Sequence, residues 1–268
     1  MPIPIKMLVT CFLTACSIPL YAAEVLRAGL PDGLKLCGSY REYTVISGDQ
    51  IQLPDNTILR LQDIKAPEFW PQGSPYKSWP YGSRSKSALN DYLSGYTLTA
   101  FCNKKHKTHS GDTLAHIKRG KEWVQQWMVK NGHAYVFPAF GVGLQSQELR
   151  GDEALARQAN IGLWASNEAT TVSATSDQLR PSWFQLVRGT VISANSVRKT
   201  HYLNFGDNWR KDFTVQFGNK VEKQLQALEI SVRSLKGKTL EVRGYVEWSA
   251  GPKIIVTHAD QIRIIELP

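Results

Sequence analysis

The chain has 268 residues, of which 42% are hydrophobic and eight are tryptophan. That composition excludes a disordered or low-complexity polymer and is long enough for two packed domains. Lysine and arginine outnumber acids, giving a net charge of +9 and a pI of about 9.4; this suits contact with nucleic acid, anionic lipid headgroups or another polyanion, and equally suits plain solubility.

The amino terminus carries one positive charge over Met1–Lys6, then a nearly all-apolar run from Met7 to Leu20, then Tyr21-Ala22-Ala23-Glu24. This pattern predicts an export signal over residues 1–23, cleaved near Ala22 or Ala23, and a periplasmic or secreted protein. Leu13-Thr14-Ala15-Cys16 has the alternative form of a bacterial lipoprotein processing site, which would anchor the chain by lipid on Cys16. The apolar run continues past Cys16, which favours the soluble exported form. No later stretch approaches the roughly 20 apolar residues of a spanning helix, so no integral membrane segment is expected after cleavage. Of the four cysteines, Cys37 and Cys102 remain beyond the signal. In an oxidising compartment they are expected to pair, two unrelated buried thiols being the alternative. Nothing in their spacing suggests zinc.

Gly48–Glu68, GDQIQLPDNTILRLQDIKAPE, alternates polar and apolar residues on both sides of Pro54-Asp55-Asn56 and ends in Ala66-Pro67-Glu68. This reads as a β-hairpin. An aromatic-rich loop, Phe69–Trp79, follows, with Trp70, Tyr76 and Trp79 as a lid, a substrate rim or ordinary packing. Pro80-Tyr81-Gly82 opens a helix over Ser83–Leu93. A strand is expected over Tyr96–Cys102, and Ser110-Gly111-Asp112-Thr113-Leu114-Ala115-His116-Ile117 leads into another. Lys121–Gly132 reads as an amphipathic helix with a glycine stop, and Leu149–Trp164 as a last helix closing in Gly162-Leu163-Trp164.

From Tyr43 to Ala165, these landmarks and their order resemble the thermonuclease, or staphylococcal nuclease-like, family. The resemblance implies a barrel of OB type carrying helices, over residues 40–166. In that family a glutamate handles the attacking water, two arginines clamp the phosphate, and aspartates hold Ca²⁺. By position, Glu68 would be the base, Arg60 the first phosphate arginine and Asp49 a calcium ligand. Three positions depart from the pattern. Ser47 replaces an acid near the metal, Lys65 stands where a metal carboxylate belongs, and Asp112 stands where the second arginine belongs. Calcium affinity depends on carboxylate count, and a carboxylate aimed at a phosphate repels it. Lys65 could instead serve as a built-in cation pairing with Asp49 or Glu68, while Asp112 pairs with Arg60, Lys65 or a neighbouring basic residue. No cofactor is then expected, and Ca²⁺ only if the chain is a working nuclease. Lys105, Lys107 and His109 form a basic loop at the same mouth, a phosphate contact or a solvated turn.

Asn167–Gln178, NEATTVSATSDQ, has no apolar period and reads as part of a linker over residues 167–180. Beyond it lie strand-like runs at Trp183–Ile192, Thr200–Gly206, Phe213–Phe217, Gly237–Trp248 and Lys253–Ile265, with a helix at Glu222–Leu228. They predict a second, small OB-like β-barrel over residues 181–268 and an α+β chain that is mainly β. Such barrels often stack nucleic-acid bases on aromatic side chains in a basic groove. Tyr202, Phe205, Trp209, Tyr245 and Trp248, with Arg198, Lys199, Arg210 and Lys211, are candidates. The alternative puts Phe205 and Phe213 in the core and plugs the barrel ends with Trp183 and Trp248. Three functions stay open: an exported protein binding nucleic acid or another polyanion with a degenerate site, a phosphodiesterase with altered metal use, and an envelope protein-interaction module. Oligomeric state is not legible.

Overall fold

The computed structural model describes residues 30, 33–138, 143, 145–166 and 171–265, with backbone alone at 104–106 and 147. The expected export signal and Cys16 lie outside the described residues.

The first domain is a curled sheet in the order β1-β6-β7-β4-β3-β2, with β8 added to β7. Its strands are β1 (Lys35–Tyr40), β2 (Thr44–Ser47), β3 (Gln50–Gln52), β4 (Ile58–Leu61), β6 (Leu98–Lys107), β7 (Thr113–Arg119) and β8 (Glu122–Trp123). A separate short pair joins β5 (Ile64–Lys65) to β9 (Tyr135–Val136). Neighbours are antiparallel except β4 and β7, which run parallel. The period-2 pattern selects the inward set: Ile51, Leu59, Leu61, Leu98, Ala100 and Ile117 are buried, whereas Gln50 and Gln52 flank Ile51 on the other face. Three helices close this core: α1 (Gly82–Leu93), α2 (Val124–Lys130) and α3 (Ser146–Gln158), which supply Leu89, Leu93, Met128, Val129 and Leu149.

The hairpin turn forms as its residues require. Asn56 adopts a left-handed φ of 65°, its N–H donates to the Leu53 carbonyl (2.9 Å), and Asp55 accepts from the Thr57 N–H (2.9 Å). Cys37 and Cys102 form a disulfide with Cα atoms 5.9 Å apart, tying β1 to β6 across 65 residues of sequence. Cys37 sits inside β1 at a bulge between Leu36 and Gly38, which pair with Phe101 and Ala100 of β6.

The second β domain has the order β10-β11-β15-β16-β14-β13-β12, with β17 on β15. These are β10 (Val172–Ser173), β11 (Phe184–Thr190), β12 (Ser193–Val197), β13 (Thr200–Asn204), β14 (Thr214–Gly218), β15 (Thr239–Trp248), β16 (Pro252–Val256) and β17 (Ile262–Ile265). The long β15 pairs with β11 and β17 along its first part and with β16 at its end, which folds the sheet around a core of Val187, Leu203, Phe213, Val215, Phe217 and Ile254. Helix α4 (Asn219–Ala227) covers one opening with Val221 and Leu225. Within the stretch expected as linker, Val172–Ser173 pair in parallel with Val187–Arg188 and Ala174 is buried in the second core. A run of small residues without apolar period can thus still lend its backbone to a sheet edge. Phe205 and Phe213 are core residues, but Trp248 is exposed and plugs nothing.

The two domains share a core. Trp79, Tyr135, Phe137, Leu163 and Trp164 of the first pack with Phe184 and Leu186 of the second. Beside this apolar patch, Arg243 on β15 is 1% exposed and grips the Glu153 carboxylate of α3 through two bonds of 2.9 Å, while also donating to the Val136 carbonyl (2.6 Å). Arg157 reaches the other way, from α3 to Glu241 on β15 (2.9 and 3.1 Å). These planar, two-point pairs keep buried charges neutralised. Burial alone would push the Glu241 carboxyl up, but Arg157 and Arg243 bring it down to about 2.

Candidate functional site

Five charged side chains converge where β3, β4 and β7 meet the Ala66–Glu68 segment. Backbone packing sets the place. A Cβ on Gly48 would lie 2.0 Å from Ser85 Oγ and 2.7 Å from the Ala66 Cβ, and one on Gly82 would lie 2.2 Å from the Glu68 carbonyl oxygen. Only glycine lets α1 press this close to the chain on either side of Asp49 and Glu68. The register then does the rest. Gln50 lies opposite Arg60, and Arg60 opposite Leu114, so Asp112 emerges beside the arginine.

Lys65 Nζ stands 3.2 Å from Asp49 Oδ2 and 2.6 Å from Glu68 Oε1. Arg60 turns to Asp112, with Nε at 3.0 Å and its terminal nitrogen at 2.9 Å from Oδ2, and lies 3.6 Å from Asp49. Gln50 donates to the same Asp112 oxygen (3.2 Å). Asp49 also accepts from Ser47 Oγ (2.8 Å) and the Ala66 N–H (3.2 Å). Asp49 is 1% exposed and Lys65 3%, so this is an internal network with Arg60 and Glu68 at its edge. Burial would push the Asp49 carboxyl up, yet Lys65, Arg60 and Ser47 hold it below its ordinary value. The Lys65 ammonium is likewise driven down by burial and pulled above its ordinary range by Asp49 and Glu68. Burial lowers and Asp49 and Asp112 raise the Arg60 guanidinium, with the pair prevailing.

This donor set does not suit a hard dication. Calcium takes about six to eight oxygen ligands, and here both Asp49 oxygens and one Glu68 oxygen already accept hydrogen bonds, from an ammonium among others. Among the described residues no group of three or more His, Cys, Asp or Glu side chains is arranged to hold a metal.

The structure brings together Asp49, Arg60, Lys65, Glu68, Asp112 and, through its hydroxyl, Ser47. Lys107 and His109 are exposed on the β6–β7 turn next to Asp112 and make no part of the network; the Lys105 side chain lies outside the described residues. Trp209 and Arg210 belong to the second domain. Two residues near the network were not assigned to it from the sequence: Gln50 went unnamed, and Tyr245 was named only as a stacking aromatic of the second barrel. Gln50 could have been found from the hairpin register opposite Arg60. Tyr245 could not, because a different domain delivers it: its ring packs near Trp79 (6.3 Å) and Phe184 (5.8 Å), and burial raises its hydroxyl pKa against the pull of Lys65. Trp79 itself stacks on Trp183 (5.3 Å) and faces the Lys65 ammonium at 5.7 Å. The aromatic loop therefore ends as a seam between domains, while Trp70 and Tyr76 pack on each other in solvent (4.8 Å).

Residues 58–166 match the family model described as staphylococcal nuclease homologue. That range includes Arg60, Lys65, Glu68 and Asp112 and begins after Ser47 and Asp49. Two rice proteins (Oryza sativa subsp. japonica), named probable staphylococcal-like nucleases CAN2 and CAN3, are each 30% identical over 125 residues, which is 46% of this chain. The chain spans 30% of the length of these curated relatives. Residues 58–166 are thus a staphylococcal nuclease-like domain, joined in this chain to a second, C-terminal β domain.

Proposed function

We propose that this is an exported protein that binds nucleic acid or another phosphate-rich polyanion on a nuclease fold whose hydrolytic site has been converted to an internal ion-pair network. The observation that carries the reading is the position of Lys65 Nζ, bridging Asp49 and Glu68, with Arg60 engaged by Asp112. A base held in an ion pair with a lysine is a poor acceptor for a water proton, and an arginine held by a carboxylate offers little to a phosphate. The basic balance of the chain supports polyanion contact. Export is supported by the amino-terminal apolar run and by the Cys37–Cys102 disulfide. Among the described residues no helix is long and apolar enough to cross a membrane.

A second reading, phosphodiester hydrolysis with altered metal use, draws support from the relatives' names and from Glu68, whose side chain remains 20% exposed. One experiment separates them. Single-stranded DNA is incubated with the purified chain in calcium, in other divalent ions and in chelator, with Glu68→Gln run beside it. Binding that weakens as salt rises, without cleavage, is the expected result. Cleavage present in the natural chain and lost in Glu68→Gln overturns the binding-only reading.

A further inference from the structure

We propose that the polyanion is single-stranded nucleic acid and that it binds in a groove on the outer face of the second domain; the inference rests on the polyanion-binding reading. The groove measures about 500 Å³, within the usual range of ligand sites. Its floor follows from strand register. Asn195, Tyr202 and Gln216 form one row across β12, β13 and β14, and Asn204, Thr214 and Lys253 form the next across β13, β14 and β16. Alternation sends Leu203, Val215 and Ile254 into the core and leaves these rows outward. Trp209, 57% exposed, stands as a wall.

The two rows differ in a way that points to a ligand. In the second, Asn204 is already engaged, donating to Ser193 Oγ (2.9 Å) and accepting from Thr214 Oγ1 (3.1 Å). In the first, the Tyr202 hydroxyl and the Gln216 amide make no hydrogen bond to protein among the described residues, and neither do the Trp209 indole nor the Lys253 ammonium. An unpaired amide offers a donor and an acceptor to a base edge. Tyr202 and the side of Trp209 away from the Arg210 guanidinium, which lies 4.9 Å from that ring, offer stacking, and Lys253 offers charge to the backbone. The surroundings are of matching sign: Arg198 and Lys199 lie at the β12–β13 turn, and Arg210 and Lys211 follow Trp209. Of the acids nearby, Asp212 is turned to the Asn208 N–H (2.7 Å), while Asp207 in the same loop and Glu247 opposite Lys253 are exposed; the five cations Arg198, Lys199, Arg210, Lys211 and Lys253 outnumber these three acids. A neutral glycan would use the amides and rings but gain nothing from these cations, so charge favours the nucleic acid.

The test is fluorescence anisotropy of a labelled oligothymidylate of about 12 nucleotides titrated with the full disulfide-bonded chain. Trp209→Ala should weaken binding roughly tenfold, as expected for removal of a stacking platform. Lys253→Gln should lower the slope of log affinity against log salt by about one. Circular dichroism of both variants, whose changes lie on the surface, checks that the fold is retained. Oligonucleotide binding by the natural chain that neither substitution alters would overturn the groove and leave the polyanion reading standing. No binding even at about 50 mM salt would overturn both. Quenching of tryptophan emission by chitotetraose, insensitive to salt and abolished in Trp209→Ala, without oligonucleotide binding, would make the groove a glycan site and overturn the proposal.

Discussion

Replacing Lys65 with methionine tests whether the ion-pair network is structural. Methionine keeps most of the stem beneath Trp79 and removes the ammonium. Asp49, 1% exposed, then retains Ser47, the Ala66 N–H and Arg60 at 3.6 Å, while Glu68, 20% exposed, can turn to water. Breaking a buried pair by removing one partner costs about 3–5 kcal/mol. Because Glu68 is relieved by solvent, we expect the lower end, about 3 kcal/mol. The pH dependence carries the sign. In the natural chain the Asp49 carboxyl lies below its ordinary value, so its contribution is present above the unfolded value and is lost as pH falls through the folded one. Without Lys65 burial dominates and that carboxyl moves up, so the gap between the two proteins should begin to narrow above the ordinary carboxylate value of about 4 and go on narrowing below it. Urea unfolding followed by tryptophan emission, at neutral and acid pH, measures both quantities. Adding Asp49→Asn to the variant should recover part of the loss, since removing both partners leaves no uncompensated carboxylate at position 49. A loss under about 1 kcal/mol at neutral pH, the value of a surface pair, would refute the reasoning. So would a gap that does not change with pH.

Arg243→Met should loosen the coupling of the domains, because Glu153 loses its two-point partner and Arg157 is left to serve both Glu153 and Glu241; one cooperative unfolding transition should become two, and an unchanged single transition would count against the shared-core account. The same interface should be acid-labile. With the Glu241 carboxyl lowered to about 2, some 3 kcal/mol of stability is present above about pH 4.5 and lost as pH falls toward 2, which unfolding curves over that range would reveal. Cys37→Ser should cost about 2–4 kcal/mol in denaturant, since the bond closes a loop of 65 residues; an unchanged midpoint would mean the barrel edge holds without it.

The first domain was readable because its residues act locally. Asp55 and Asn56 make their own turn, Ile51 and Leu59 alternate with polar neighbours, and Gly48 and Gly82 mark backbone contacts that admit no side chain. Even the partners of Lys65 and Asp112 were among the alternatives open in the sequence: Lys65 shares one segment with Asp49 and Glu68, and the resemblance puts Asp112 at the same site as Arg60 although 52 residues separate them. What was not readable is what depends on the other domain. Arg243 looks like any strand residue in Gly237–Trp248 until β15 lays it against α3. Tyr245 looks like a surface aromatic of the second barrel until it reaches the Trp79 seam. Val172–Ser173 carry no strand signal, because a two-residue edge pair is defined by the neighbour it joins rather than by its own side chains.

The resemblance would put carboxylates at 47, 49, 65 and 68 and arginines at 60 and 112. This chain has Asp49, Glu68 and Asp112 with Arg60 and Lys65. The reversals at Lys65 and Asp112 cancel in charge, Ser47 takes away one further negative charge, and the charges that remain turn inward to one another. In the resembled arrangement the cations face a phosphate and the acids face a metal. Here each cation faces an acid of its own chain, and Asp49, Lys65 and Asp112 are nearly out of solvent. A phosphodiester entering this site would have to take Arg60 from Asp112 or Lys65 from Glu68, returning a carboxylate to a poorly solvated place next to its own negative charge. That cost rises with burial, and the Trp79–Trp183–Tyr245 contacts bring the second domain against the same mouth. On the outer face of β13, β14 and β16 no ion pair has to be broken: among the described residues Lys253 and Gln216 make no side-chain hydrogen bond or ion pair, and Trp209 carries only the Arg210 guanidinium, 4.9 Å from its ring. The cations neutralised in the first domain are held by acids of their own chain, whereas Lys253 on the second makes no ion pair among the described residues and is the cation that the proposed ligand would engage.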